Sequence, residues 1–307
     1  MLRLPRTAVA LLAGVAVAVA ACGGGSATAA PAGTSGAAST TAASLAPTAN
    51  PNDPNSLLNE LVTGGPDVKS FHIKIALTGT IKADALKASD ASLAASITQD
   101  VTLDGTAVEG DVDIANQAAH LAVNVPGLEP LGGQPITADL ILVGGKLYAK
   151  ASLLGPKYTE MDLGSLSSLT SSLPVAVPTP GASALSGAMD QVAQLRKQLD
   201  DAGAKVTLVG VEQIGGSDAE HINITIPTDL INQQIAAESS AAPAMTIDSA
   251  TLDVWVYKSD NRLAQLQLQG SSAQAGNLSL IVTVTNYDQP VSVSAPPADQ
   301  VQATTAP

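Results

Sequence analysis

Aromatic side chains are nearly missing from this 307-residue chain, which has one Trp, four Tyr and one Phe, 2% of the sequence. Six scattered rings cannot build a stacking platform for bases or sugars, so any core must be aliphatic. Cysteine is scarcer still. The single Cys22 excludes an intramolecular disulfide framework and a thiolate metal cluster. Positive charge is also short: 14 Lys and Arg stand against 27 Asp and Glu, for a formal net charge of −13. Nucleic acid phosphates demand clustered Lys and Arg, so nucleic acid is excluded as a partner.

Catalytic and metal signatures are missing too. The three histidines, His72, His120 and His221, make no HxH or HxxxH motif, and each reads as a polar side chain on a strand face. No G-x-S-x-G elbow, HExxH helix or phosphate-binding loop occurs. Asp111-Val-Asp113 opens like a calcium loop, but Ala115 and the lack of a sixth-position Gly break it. Acids on a solvated strand edge explain that run better. Asn223-Ile-Thr225 fits a glycosylation sequon, yet its strand setting makes the match accidental. The expectation is a protein that is not an enzyme and has neither metal nor cofactor.

What the chain has in plenty is small and aliphatic residues, with 45% of positions hydrophobic. Arg3 and Arg6 precede fourteen small or apolar residues, Ala8 to Ala21. A membrane-spanning helix needs about 20 such residues and a secretory core only about 7 to 15, so residues 1–21 read as a signal peptide. The run closes on Val19-Ala20-Ala21-Cys22, which matches the lipobox of bacterial lipoproteins. That match implies cleavage before Cys22 and diacylation of its sulfur. Two acyl chains hold durably where one does not, with roughly 0.8 kcal/mol for each buried CH₂.

Residues 22–52 are Ala, Gly, Ser, Thr and Pro almost throughout and cannot bury enough surface to offset ordering, so a flexible stalk is expected. Residues 294–307 have a similar composition and are expected to be a disordered tail. One folded domain, 53–293, remains.

Its dominant signal is alternation with a period of two. Phe71, Ile73, Ile75 and Leu77 interleave with His72, Lys74 and Thr78, and similar runs surround Val101, Val112, Leu121, Ile222, Val254, Leu266 and Val282. Asp104-Gly105, Gly144-Gly145 and Gly215-Gly216 fall where hairpin turns are needed. An antiparallel sheet of about ten strands follows. Four helices are expected to cover one face: Asn55–Thr63, Ser165–Leu173, Gly187–Ala202 and one capped by Thr228. Pro174 to Ser186 is too rich in proline for either periodic structure and is a candidate flap.

Four stretches carry a family resemblance. They are Asp139-Leu-Ile-Leu-Val-Gly-Gly-Lys-Leu-Tyr148, Ile226-Pro-Thr-Asp-Leu-Ile-Asn-Gln-Gln-Ile235, Ala250 to Val256 with Asp260 to Leu268, and Ile281 to Val293. In that order, and together with the lipobox, the chain resembles the LppX/LprAFG family of actinobacterial cell-envelope lipoproteins. The resemblance implies an α+β fold in which a strongly curved antiparallel sheet, a half-barrel closed by helices, encloses an apolar cavity for acylated lipid or glycolipid. It also implies a plasma membrane anchor through Cys22 and cooperation with a membrane exporter. The residues themselves leave a fully packed core as the alternative. Ile73, Ile75, Leu121, Val123, Leu140, Leu142, Val254 and Val256 are the expected lining, with Trp255 and Tyr257 facing the other way. Leu140 to Val143 is apolar at every position, so its inward parity stays open.

Overall fold

The computed structural model describes residues 53–63, 68–89, 97–127, 133–152, 155–162, 197, 200–201, 203–238 and 246–302. The signal peptide, Cys22, the stalk, the Ser165–Leu173 helix and the Pro174 to Ser186 flap lie outside them. Of the expected Gly187–Ala202 helix, Lys197, Asp200 and Asp201 are described, all in helical conformation.

Strand β1 (Ser70–Ile81) is the centre of the sheet. On one side it pairs with β3 (Thr106–Asp113), which opens a meander through β4 (Ala118–Val125), β5 (Ile136–Val143), β6 (Lys146–Ala151) and β7 (Tyr158–Asp162). On the other it pairs with β12 (Gly276–Thr285), the last strand of a second meander. That meander is β8 (Lys205–Ile214), β9 (Ser217–Thr225), β10 (Ser249–Tyr257) and β11 (Leu263–Ser272). Two-residue strands β2 (Val101–Thr102) and β13 (Val301–Gln302) add to β1 and β7. Among the described residues the curved open sheet thus has thirteen strands, where the alternation predicted about ten. The expectation fell short in part because β7 and β13 are too brief to show a period.

The hairpins fall where glycine pairs stand. Gly144, Gly145, Gly215 and Gly216 all have positive φ, which side chains with a Cβ resist. Gly110 on β3 marks a close approach to β4. A Cβ there would lie 1.9 Å from the His120 carbonyl oxygen of β4, so the two backbones approach as only glycine permits.

Helix α1 (Pro54–Thr63) begins on Asp53, whose carboxylate accepts the Asn55 N–H at 3.0 Å, with Pro54 at the first helical position. Its Leu57 and Leu58 are buried against the sheet. Helix α2 (Ala83–Ser89) was not expected. Its first N–H, from Ala83, is satisfied by the Asp100 carboxylate at 2.9 Å, a partner seventeen residues away that no local motif announces. Helix α3 (Thr228–Glu238) starts on the expected residue and is tied down where Asn232 exchanges two hydrogen bonds with the Ile247 backbone.

Two sequence expectations are corrected here. Asp111 and Asp113 are not on a sheet edge: β3 lies between β1 and β4, Asp111 faces His72, and Asp113 is buried and bonds to Asn116. The segment from Ser294 is not disordered throughout. It is ordered to Gln302 through a 3-10 turn (Ala298–Gln300) and the pairing of Val301 with Tyr158. Val293 and Val301 cover an apolar cluster of Ile141, Tyr148 and Tyr158, which gives the tail apolar surface to bury.

Candidate functional site

Residues directly opposite in an antiparallel pair point to the same face, so register decides which side chains converge. Ile73 opposes Val284, Ile75 opposes Val282 and Val108, Leu121 opposes Gly110 and Leu140, and Leu142 opposes Ala119. Val123 opposes Ala138, Val254 opposes Ile222 and Leu266, and Val256 opposes Leu263. All eight expected residues therefore share one face, the face on which α1 packs. The open parity of β5 closes as well. Leu140 and Leu142 point to this face, and Ile141 and Val143 join the cluster on the reverse side.

Burial divides this face in two. Ile73, Val254 and Val256 are 7%, 4% and 0% exposed and pack with Leu57, Leu58, Ile222, Ile224, Val282 and Val284. This half is a filled core beneath α1. Ile75, Leu121, Val123, Leu140 and Leu142 are only half-buried. Leu147 and Met161 extend the second half, because Leu142 pairs with Leu147 and Leu147 with Met161. The sequence reading missed both. The alternation of Leu147 and Ala149 with Lys146, Tyr148 and Lys150 was the available signal, though five positions make a weak one. Small residues, Ala119, Ala138 and Ala151, stand beside the leucines and keep this half shallow.

The rings are sorted to the other side. Trp255 and Tyr257 form a buried cluster with Ala219 and Ala264 on the reverse face, and Tyr148 and Tyr158 lie in the cluster under the tail. Burial and a hydrogen bond to Asp139 push the Tyr158 phenol up to about 12. The three histidines are also on this reverse face, each against carboxylates: His72 with Asp111, His120 with Asp139, His221 with Glu212 and Asp253. Among the described residues no group of three His, Cys, Asp or Glu could hold a metal ion, and no helix is long and apolar enough to cross a membrane.

The profile of the LppX_LprAFG lipoprotein family matches residues 53–293, the whole of the expected domain. The chain belongs to this family. Among solved structures it is similar to the lipoprotein LppX of Mycobacterium tuberculosis, at 16% identity over 79% of this chain and 100% of that one, with a TM-score of 0.39. It is also similar to LprF of Mycobacterium bovis, at 14% identity over 75% of this chain and 90% of that one, with a TM-score of 0.38. No match was found among curated proteins. For a member of the LppX/LprAFG family, the half-buried aliphatic surface of β4 to β7 is the candidate functional site.

Proposed function

We propose that this lipoprotein carries an acylated lipid or glycolipid across the cell envelope on the aliphatic face of its sheet, without catalysing a reaction on it. The observation that carries the reading is the unequal burial of one aliphatic face, filled under α1 and half-open at Leu121, Val123, Leu140 and Leu142. An acyl chain laid there contributes roughly 0.8 kcal/mol per buried CH₂, so ten methylenes bring on the order of 8 kcal/mol before ordering costs. The small side chains beside the leucines leave width for such a chain, and no ring interrupts the surface of β4 and β5. Ile73, Val254 and Val256 support this surface from the filled half instead of touching the lipid.

In this reading Cys22 is diacylated and holds the protein at the outer face of the plasma membrane, residues 22–52 are the tether, and a membrane exporter supplies or receives the cargo. Native mass spectrometry of protein purified from its own host is the test. A mass above that of the polypeptide, released into organic solvent as an acylated lipid, is the expected result. Empty protein would overturn the carrier function.

The filled half favours a second reading, a surface-displayed structural or protein-binding module with a solid core. It differs in outcome: affinity capture then returns a protein partner and solvent extraction returns no lipid.

A further inference from the structure

Trp255, the single tryptophan of the chain, lies face to face with His221 on the reverse side of the sheet, with 4.3 Å between ring centroids and 16° between planes. His221 is on β9, between β8 and β10. Its Nδ1 is 2.9 Å from Glu212 Oε1 on β8, and its Nε2 is 2.9 Å from Asp253 Oδ1 on β10. The His221 and Asp253 side chains are 13% and 10% exposed.

A carboxylate only accepts hydrogen bonds, and a neutral imidazole has one N–H. A neutral ring would therefore aim one lone pair at a carboxylate oxygen at contact distance, with little water on the Asp253 side and Glu212 itself half-exposed. Both carboxylates are already committed as acceptors. Asp253 Oδ1 takes a hydrogen bond from Asn223 Nδ2 at 2.7 Å, and Glu212 Oε2 takes one from Trp255 Nε1 at 2.9 Å. Those bonds from Trp255 and His221 hold the Glu212 carboxyl below its ordinary range.

We infer that His221 sits in this network as an imidazolium, and that its two charged hydrogen bonds form a proton-dependent clamp fastening edge strand β8 to β9 and β10. The charged groups facing it are Glu212 from β8 and Asp253 from β10. Tyr257 lies two residues beyond Trp255 on β10, and the facing side chains of β9 and β11, Asn223 and Gln265, are neutral. Glu220, next to His221 in sequence, pairs with Lys258 at 3.2 Å.

The clamp's position gives it leverage. Among the described residues β8 pairs with β9 alone, whereas the opposite edge strand β7 is covered by β13. On its other face β8 presents Val206 and Leu208, which pack in the same core cluster as Leu57 and Leu58 of α1. His72 has a related arrangement, 2.9 Å from Asp111 and 3.5 Å from Glu109. It lies on β1, however, which is held by ladders on both sides and needs no clamp.

Because Trp255 is unique, the emission of the full-length protein in detergent reports this ring pair, and the readout needs no ligand. A stacked imidazolium quenches indole, so emission rises with one-proton dependence as rising pH removes the His221 proton. His221→Gln abolishes the rise, and Glu212→Gln moves its midpoint down by about one pH unit. Hydrogen exchange of the β8 amides, corrected for intrinsic pH dependence, accelerates above the midpoint. Flat emission, a rise that persists in His221→Gln, an unmoved midpoint in Glu212→Gln, or unchanged β8 exchange each overturns the clamp.

Discussion

Leu121 and Leu140 stand directly opposite each other on β4 and β5, side by side on the face that carries α1 and both half-buried. A Trp at either place enlarges a side chain that solvent already reaches, so the fold tolerates the change while the surface proposed for an acyl chain shrinks. Leu121→Trp and Leu140→Trp are expected to lower lipid loading several-fold in native mass spectrometry with little change in urea midpoint. Loading equal to wild type in both would remove this pair from the binding surface.

The two halves of the face differ in what a truncated side chain costs. Leu57 is 1% exposed and locked between α1 and the sheet, so Leu57→Ala is expected to cost about 2–5 kcal/mol in equilibrium unfolding. Leu142 is half-buried, and removal of its side chain leaves a dent where no cavity can form, costing under about 1 kcal/mol. The proposed lipid binding predicts a change in that order. With cargo bound, Leu142→Ala loses contact with the ligand as well, and the stabilisation that loading gives should fall.

Gly110 tests the close approach of β3 to β4. Its missing Cβ is replaced in space by the His120 carbonyl, a backbone atom that cannot swing aside. Gly110→Ala is therefore expected to cost about 1–3 kcal/mol in denaturant unfolding, from strain alone, with no polar group lost. A neutral outcome would mean that β3 and β4 separate more easily than their pairing suggests.

Much of the sheet was legible because alternation reports burial on one face directly. Phe71, Ile73 and Ile75 announced β1 and its direction, and the glycine pairs announced the hairpins. Strand parity in the all-apolar run of β5 was not legible, since Leu140 to Val143 give the same pattern in either orientation; only pairing with Leu121 and Ala119 sets it. Long-range partners escaped in the same way. Asp100 capping α2, and carboxylates meeting each histidine from neighbouring strands, arise from register and leave no local spacing to read. Ile73, Val254 and Val256 were grouped with the lining because period-two patterning tells inside from outside. It cannot tell a covered interior from an open one.

The tail offers a further check. Val293 and Val301 cover Ile141, Tyr148 and Tyr158, and Val301 completes the β7 edge. A chain ended at Pro290 exposes two tyrosines and an unpaired edge together. It is expected to unfold at lower denaturant concentration and to aggregate on concentration, as uncapped strand edges do. Light scattering and urea titration measure the two effects separately.

Acid unfolding should pass through Asp288. Burial raises its carboxyl, but the Lys69 backbone N–H at 2.8 Å and the Arg262 guanidinium at 2.6 Å outweigh that and hold it below the ordinary range. A carboxylate depressed in the folded state contributes stability that is fully present above its unfolded value, about 4, and is lost as pH falls through the folded value. Asp288→Asn should therefore lower stability at neutral pH and flatten its decline below about pH 4. The two unfolding curves should converge in strong acid, where both side chains are neutral. Because Arg262 also lies 5.0 Å from the centre of the Tyr287 ring, the variant keeps the arginine seated and isolates the contribution of the carboxylate.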